Sequence, residues 1–319
     1  MQDTSSPTLN FILDAYVAER KNPHAYRRCK WPHSIEGHLV AVRREWGAWT
    51  IDDFAKGSKA RVKAKVLEWM ESGTARATCR KRIAFLRTGI RFAISEEIIT
   101  RNQEPVMELP PSGPPRERFL DATTELVALL KAADEIATPD HIRLFLELAL
   151  RTGARRGAIL ALRWDLIDFD KRVIRFRDTE APEERSKKRR GDKPMDDALL
   201  AIMQRAFEAR DESCPAVIAW RGKAVKSVYA GMRALYRRAG LRQIHTHDLR
   251  RTSATYVHDE TGGDMDRAAS HIVDTAATAR AHYVQPNPHV HMPEMQAVSS
   301  VLDRARARHD RPPPLPTGS

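Results

Sequence analysis

The seven residues from His245 to Arg251, HTHDLRR, combine a proton carrier, a carboxylate and two permanent cations. Histidine exchanges a proton near neutral pH, whereas arginine keeps its charge and presents a planar fork of donors to a phosphate. If this stretch is helical, His247 and Arg250 are three residues apart and share one face. The pattern predicts a site that joins acid–base chemistry to a grip on a phosphate.

The same stretch raises the alternative of a metal site, because His245, His247 and Asp248 are common ligand types. Histidines two residues apart do not face one way on a helix, and no third ligand follows at a recognised spacing. The acidic run DETGGDMD at 259–266 lacks the D-x-D-x-D-G order of a calcium loop. We therefore expect no metal ion and no other cofactor.

Two further segments carry groups of matching chemistry. LRTGARRG at 150–157 places Arg155 after a glycine turn, at the head of an apolar helix. SHIVDTAATARAHY at 270–283 contains His271 and Tyr283. A tyrosine hydroxyl becomes a nucleophile when a base removes its proton and cations hold the electrophile. These groups together offer a nucleophile and cations that could hold its electrophile.

The elements that would position these groups are predicted to be mainly helical. A β segment is expected at 172–178, where Ile174 and Phe176 alternate with arginines, and the highly charged residues 179–193 follow it. The helices of this part of the chain are predicted near 121–135, 139–151, 196–210, 223–239, 247–259, 264–282 and 293–308.

The charge of the chain indicates a polyanionic partner. Its 319 residues contain 54 Lys and Arg against 42 Asp and Glu, a net charge of +12. Nucleic acid is the first candidate partner and an anionic membrane surface the second. The longest apolar stretch is too short to span a bilayer, the N-terminus lacks a signal-peptide pattern, and three scattered cysteines favour reduced thiols in the cytoplasm.

The N-terminal third is predicted to be helical and to end in a stretch, 104–118, that holds five prolines. On the helix that follows Gly73, a stripe of arginines lies beside an apolar face. We expect this stripe to run along a nucleic-acid backbone, and a solvated basic face is the alternative. The stripe consists of Arg76, Arg80, Arg87 and Arg91.

TGARRG, the basic hairpin SKKRRGDKPM, HDLRRT, a later histidine and then a tyrosine, in that order, resemble the tyrosine recombinases, the phage integrase family. The resemblance covers about residues 140–285. It implies a mainly α fold with a small β-sheet, with a helical core-DNA-binding domain at 1–107 and a mixed α/β catalytic domain at 119–308. Residues 108–118 would be the Pro-rich linker, and residues 309–319 a disordered tail.

The resemblance also implies a role for each matching residue. Arg155 and Arg250 would clamp the scissile phosphate, and Tyr283 would attack it to leave a 3′-phosphotyrosyl DNA link. His247 would assist proton transfer at Tyr283. His271 would donate a hydrogen bond to the phosphate.

On the basic hairpin, Lys187 would protonate the departing 5′-hydroxyl, with Lys188 as its close rival. Lys188 and Arg189 would also contact DNA. Asp248 and Arg251 are expected on the surface of their helix or behind the site.

Three features depart from the pattern of the family. Ala158 stands where an acidic residue often follows the first arginine. Ser270 stands where glycine commonly precedes the histidine, and the gap from His271 to Tyr283 is about two residues longer than usual. These departures bear on the role of His271 more than on that of Tyr283.

The function implied is that of a site-specific DNA recombinase that integrates or excises a phage or mobile element. It would act in the cytoplasm, associated with the nucleoid, as a homotetramer on two sites in double-stranded DNA, with accessory DNA-bending proteins as further partners. The alternatives are a catalytically inactive DNA-binding protein on the same fold, a recombinase that resolves multimers, a type IB topoisomerase and a metal-dependent nuclease.

Overall fold

The computed structural model describes most of the chain as two compact units, Met1–Pro114 and Pro115–Ser319. The boundary between the units lies in the proline-rich stretch. The described residues are 6–22, 32–113, 117–135, 138–179, 190–242, 244–284, 295–296 and 298–299.

Several sequence predictions fall outside these residues. Lys187, Lys188, Arg189 and the tail 309–319 are not among them. The helix predicted at 293–308 is described only at 295–296 and 298–299. Within the described ranges, no helix has the length and apolar character needed to cross a membrane.

The first unit is a bundle of helices around an apolar core. Thr8 caps the start of the first helix, because its side-chain oxygen accepts a hydrogen bond from the backbone N–H of Phe11. Leu13, Trp46 and Leu86 are among the buried side chains at its centre. The helices are α1 (Leu9–Lys21), α2 (Pro32–Trp46), α3 (Ile51–Ala55), α4 (Ser58–Glu71) and α5 (Arg76–Ser95).

The predicted arginine stripe lies on α5, but part of it is engaged within the unit. Arg80 donates to the backbone carbonyl of Pro110, and Arg91 Nε lies 3.2 Å from Glu104 Oε1. Arg76 is exposed and Arg87 is half-buried. The stripe is therefore only partly a free basic face.

The second unit is mainly helical with two small antiparallel sheets. Its sheet order is β1-β2-β3, with Ile174 opposite both Ile167 and Lys193, and β4 pairs with β5 in a separate hairpin. The helices are α6 (Glu125–Asp134), α7 (Asp140–Thr152), α8 (Arg156–Leu160), α9 (Asp197–Glu208), α10 (Tyr229–Arg238), α11 (Thr246–Glu260), α12 (Met265–Ile272) and α13 (Ala276–His282). The strands are β1 (Ile167–Asp168), β2 (Val173–Ile174), β3 (Lys193–Pro194), β4 (Ala219–Trp220) and β5 (Lys223–Ala224).

Three predicted elements differ from those observed. The strand expected at 172–178 has only two residues, and a 3₁₀ turn begins at Phe176. The helix expected from 223 begins at Tyr229, because β5 uses the first residues for pairing. The helix expected at 264–282 is two helices, α12 and α13, because Val273 adopts a left-handed conformation (φ +53°) that ends the first one.

Candidate active site

Helix α11 is buried on most of its surface, although many of its residues are polar. Leu249 and Ala254 are buried there together with several charged and hydroxyl side chains. A buried polar group is costly unless it is hydrogen-bonded, so these side chains must have partners. The buried polar residues of α11 are Asp248, Arg250, Arg251, Thr252, Ser253, Thr255 and His258.

Two arginines from different helices meet at one carboxylate. Arg155 Nη2 lies 2.7 Å from Asp274 Oδ2, and Arg250 Nη2 lies 3.4 Å from the same oxygen. Burial lowers the pKa of Arg250, and the nearby positive charge of Arg155 lowers it further. Two guanidinium groups at this distance need an anion between them, and Asp274 supplies one.

Arg250 is held rigidly by the backbone around it. Its Nη1 donates to the carbonyl of Gly153, and its Nη2 donates to the carbonyl of Ile272. Its buried Nε has no hydrogen-bond acceptor among the described residues. A buried donor without an acceptor is costly, so this atom is suited to bind an incoming ligand.

The glycine turn before Arg155 is required by both its conformation and its surroundings. Gly153 has φ +58° and ends α7, a conformation that glycine adopts without strain. A Cβ at Gly153 would lie 3.0 Å from Ile272 Cγ2 and 3.3 Å from His271 Nε2. The turn before Arg155 therefore packs against α12 only because Gly153 has no side chain.

His271 is half-buried beside the arginines as a neutral imidazole. Its Nε2 lies 2.7 Å from Ser253 Oγ. Burial lowers the pKa of His271 to about 4, with the positive charges of Lys193 and Arg250 as further causes. At neutral pH this side chain provides hydrogen bonds and carries no charge.

Lys193 is a member of the site that sequence reasoning did not single out. It is 9% exposed, and its Nζ donates to the backbone carbonyl of His271. Burial lowers the pKa of Lys193 to about 8, and the charge of Arg250 acts in the same direction. Together with Arg155 and Arg250 it lines a small cavity that also contacts Thr152.

A signal for Lys193 was present in the sequence. In K-P-M at 193–195 the lysine and the methionine alternate with an exposed proline, so both face the core. Lys193 also lies opposite Ile174, which is fully buried. Lysine is seldom buried unless it has a partner, so a lysine at an inward position of a strand indicates a functional or paired site nearby.

Tyr283 and His247 complete the group. Tyr283 follows the end of α13, and its ring centre lies 4.9 Å from Arg250 Cζ. The rings of His247 and Tyr283 lie 6.3 Å apart with their planes 30° apart. His247 is exposed and is one helical turn from Arg250 on α11, as the spacing predicted.

The structure therefore brings Arg155, His247, Arg250, His271 and Tyr283 into one site. Their chemistry matches a nucleophile held beside a cationic pocket for an oxyanion.

The remaining predicted site residues are placed elsewhere or are not described. Lys187, Lys188 and Arg189 lie outside the described residues, and the arginine stripe belongs to the other unit. His245 is exposed and directly precedes α11. In the part of the chain that the structure describes, no three His, Cys, Asp or Glu side chains are grouped as metal ligands would be.

The departures from the expected pattern have visible surroundings. Ala158 is buried and lines the same cavity as the arginines. The carboxylate that the sequence lacks at this position is present in space as Asp274, from the turn between α12 and α13. No pattern in the sequence linked Asp274 to Arg155, which is 119 residues earlier.

Comparisons with known proteins match part of this chain to one family. Residues 119–269 match the model of the phage integrase family. The tyrosine recombinase XerC of Chlamydia caviae is 30% identical over 127 residues, which cover 39% of this chain and 40% of that protein. The match therefore spans about two fifths of the length of that relative.

Solved structures of integrases share the fold at low identity. A lambda integrase tetramer bound to a Holliday junction has a TM-score of 0.67 and 21% identity, covering 89% of this chain and 80% of that chain. The Tn1549 transposon integrase in complex with transposon right end DNA has a TM-score of 0.70 and 16% identity, covering 92% and 100%. The predicted mainly α fold with small β-sheets is thereby confirmed.

Proposed function

Because residues 119–269 belong to the phage integrase family, the tyrosine recombinases, we propose that this protein is a site-specific recombinase that cleaves and rejoins double-stranded DNA. One observation carries the proposal. Arg155 and Arg250 converge on a single anionic oxygen beside the ring of Tyr283. This is the arrangement that attack by a tyrosine on a phosphate requires.

The oxygen of Asp274 stands in for a phosphate oxygen. A non-bridging phosphate oxygen carries negative charge and accepts the same charge-assisted hydrogen bonds from arginine. Arg250 Nε, which is buried with no acceptor among the described residues, offers a further donor. Donors fixed in place before the reaction stabilise the charge that builds on the phosphate oxygens in the transition state.

The proposed reaction exchanges one phosphodiester for another. Tyr283 Oη forms a bond to phosphorus as the bond from phosphorus to the 5′-oxygen breaks, which leaves a 3′-phosphotyrosyl link. His247 takes the tyrosine proton, and the 5′-oxygen leaves as a hydroxyl after it receives a proton. Attack of a 5′-hydroxyl from a new strand reverses these steps, so neither an external energy source nor a cofactor is needed.

Three cationic or hydrogen-bonding side chains support this reaction. Lys187 is proposed as the donor of the proton to the 5′-oxygen, with Lys188 as the alternative. Lys193 is proposed as a third cation at the phosphate, since it is buried beside Arg250. His271 is proposed to donate a hydrogen bond to the phosphate in its neutral form.

The DNA partner is proposed to contact basic surfaces of both units. Arg76, Arg80, Arg87 and Arg91 would meet the backbone in one unit, with Arg80 and Arg91 exchanging their internal partners for phosphates. Lys188 and Arg189 would contact DNA from the other unit. A net charge of +12 supports such binding.

The biological role proposed is the integration or excision of a phage or mobile element. Lambda integrase and the Tn1549 transposon integrase share the fold, and both act on such DNA by name. A homotetramer on two DNA sites, accessory DNA-bending proteins and a location at the nucleoid in the cytoplasm belong to the same proposal. The presence of the arginines, His247 and Tyr283 in one site argues against a catalytically inactive DNA-binding protein.

The proposal is tested with a duplex that carries the DNA segment which the protein protects from nuclease digestion. A nick beside the cleavage point lets the short cleaved strand diffuse away and traps the covalent complex. We expect a protein–DNA adduct on a denaturing gel, both with and without EDTA. Cleavage that leaves no adduct, or that requires a divalent metal, would contradict the proposed chemistry and favour a metal-dependent nuclease.

A further inference from the structure

A buried ion pair lies on α11, where Asp248 and Arg251 directly follow His247 and Arg250 in the sequence. Arg251 Nη1 lies 3.1 Å from Asp248 Oδ1, and the two residues are 8% and 1% exposed. The sequence had placed these side chains on the helix surface or behind the site, and the first of these alternatives is wrong. A buried ion pair is not by itself a source of stability, so its contacts must explain it.

Arg251 holds the backbone next to the proposed nucleophile. Its Nε and Nη2 both donate to the carbonyl oxygen of His282, at 3.0 and 2.8 Å. His282 is the last residue of α13 and directly precedes Tyr283. The guanidinium therefore binds the His282 carbonyl oxygen with two donors, and this carbonyl belongs to the peptide bond that joins His282 to Tyr283.

The same guanidinium reaches a second segment. Its Nη1 also donates to the carbonyl of Arg118, at 3.2 Å, the last residue of the proline-rich stretch. Neighbouring α11 side chains hold this segment too, since Thr252 Oγ1 accepts from the N–H of Leu120 and Tyr256 Oη donates to its carbonyl. The segment is thereby a fixed support for Arg251.

Asp248 fixes the orientation of this guanidinium. Its Oδ1 accepts from Arg251, and its Oδ2 accepts from the backbone N–H of His245 at the start of α11. The carboxylate thus ties the Arg251 guanidinium to the first turn of its own helix, which also carries His247 and Arg250. The backbone of Tyr283 is therefore held against α11, the helix that also carries the proposed base His247 and the proposed phosphate ligand Arg250.

The backbone of Tyr283 has two further hydrogen bonds among the described residues. Helix α13 has seven residues, and the remaining described backbone bonds of Tyr283 are from its N–H to Ala279 and from Thr255 Oγ1 to its carbonyl, at 2.8 and 3.3 Å. A short helix contributes little rigidity of its own. An error of about 1 Å in the position of a reacting group can cost about a hundredfold in rate.

We propose that Arg251, oriented by Asp248, is a positioning residue that sets the Tyr283 hydroxyl at attacking distance from the phosphate held by Arg155 and Arg250. This inference rests on the proposed function. Arg251 acts through the His282 carbonyl and is not among the residues that line the phosphate pocket. Its effect is on the rate of attack and leaves the affinity for DNA unchanged.

The test compares Arg251→Lys with Arg267→Lys. Lysine keeps the charge beside Asp248 but lacks the fork that grips the His282 carbonyl. Arg267 forms an exposed pair with Asp264 at the same spacing of three residues, so its replacement is a matched control. We expect Arg251→Lys to slow single-turnover formation of the covalent adduct by about tenfold or more. Its Kd for the duplex should stay within about twofold, which corresponds to less than about 0.5 kcal/mol.

A pH profile separates positioning from proton transfer. Arginine and lysine both stay protonated between pH 6 and 9 when paired with a carboxylate. The rate of adduct formation by Arg251→Lys should therefore be lower at every pH, while the shape of its pH dependence stays the same. Asp248→Asn, which keeps an acceptor for the His245 N–H, is a second variant and should show a smaller loss of the same kind. Thermal unfolding confirms that the variants are folded at the assay temperature.

The outcomes of this experiment are distinct. If the wild-type protein forms no adduct, the proposed function fails. If it does, and both variants cleave within about twofold of the wild-type rate, Arg251 is not a positioning residue. Losses of rate and of DNA affinity in equal proportion, or a shifted pH optimum, would likewise overturn the inference.

Discussion

The neutral state of His271 leads to a measurable dependence of stability on pH. In the folded protein its pKa is lowered to about 4, and in the unfolded chain it returns to its ordinary value of 6.5. Above pH 6.5 the residue is neutral in both states and contributes nothing. As the pH falls from 6.5 to 4, only the unfolded chain takes up the proton, so the folded protein loses stability.

The size of this effect follows from the shift. It amounts to about 2 kcal/mol at pH 5 and to about 3 kcal/mol once the pH is below both pKa values. His271→Gln removes the titrating group while keeping a polar side chain beside Ser253. The variant should be less stable than the wild-type protein at pH 7.5, because it loses packing and the hydrogen bond, and this deficit should shrink by about 2 kcal/mol at pH 5.

Urea unfolding of both proteins at both pH values gives the stability deficit of the variant at each pH. The change in this deficit isolates His271, because the titration of all other groups cancels. His282→Gln is the control, because it makes the same replacement at an exposed side chain of the same unit. An NMR titration of the His271 ring gives the pKa directly. A value near 6.5, or a deficit that is the same at both pH values, would refute the reasoning.

Further predictions concern the anion, the proton donor and the DNA. Asp274→Asn should destabilise the protein in phosphate-free buffer by about 1–3 kcal/mol, because two guanidinium groups lose their anion. Added inorganic phosphate should then raise the thermal midpoint of the variant more than that of the wild-type protein. Equal increases in the two proteins would contradict this prediction. On a substrate with sulfur in place of the 5′-bridging oxygen, whose thiolate leaves without a proton, we expect Lys187→Ala to regain cleavage and Lys193→Ala to stay impaired. Regained cleavage for Lys193→Ala or Lys188→Ala instead would reassign the proton donor. DNA affinity should fall by orders of magnitude between about 50 and 200 mM salt if six or more phosphates are contacted, and a flat response would refute binding by the basic surfaces.

Local rules predicted the parts of the site that depend on spacing. His247 and Arg250 lie one turn apart on α11 because three residues nearly complete a helical turn. Arg155 follows a glycine turn because Gly153 alone fits the left-handed conformation there. The tyrosine and its neighbours followed from the order of motifs that the resemblance supplied.

The parts that were missed depend on tertiary contacts. Asp274 meets the arginines only because α12 ends at Val273, a β-branched residue in a conformation that such residues rarely adopt. The local signal of the break is Thr275, whose side chain caps the start of α13, and the prediction of one long helix overlooked it. Lys193 lies in a strand of two residues, too short for its alternation to stand out beside the basic run before it.

The central claim is that Tyr283 is the nucleophile, and the most direct measurement is to identify the residue that carries the DNA. The adduct is digested with protease and nuclease, and mass spectrometry locates the nucleotide on a peptide. We predict that it lies on Tyr283, that Tyr283→Phe binds the duplex but forms no adduct, and that the exposed Tyr229→Phe control forms it normally. An adduct on another residue, or one that persists in Tyr283→Phe, would contradict the account.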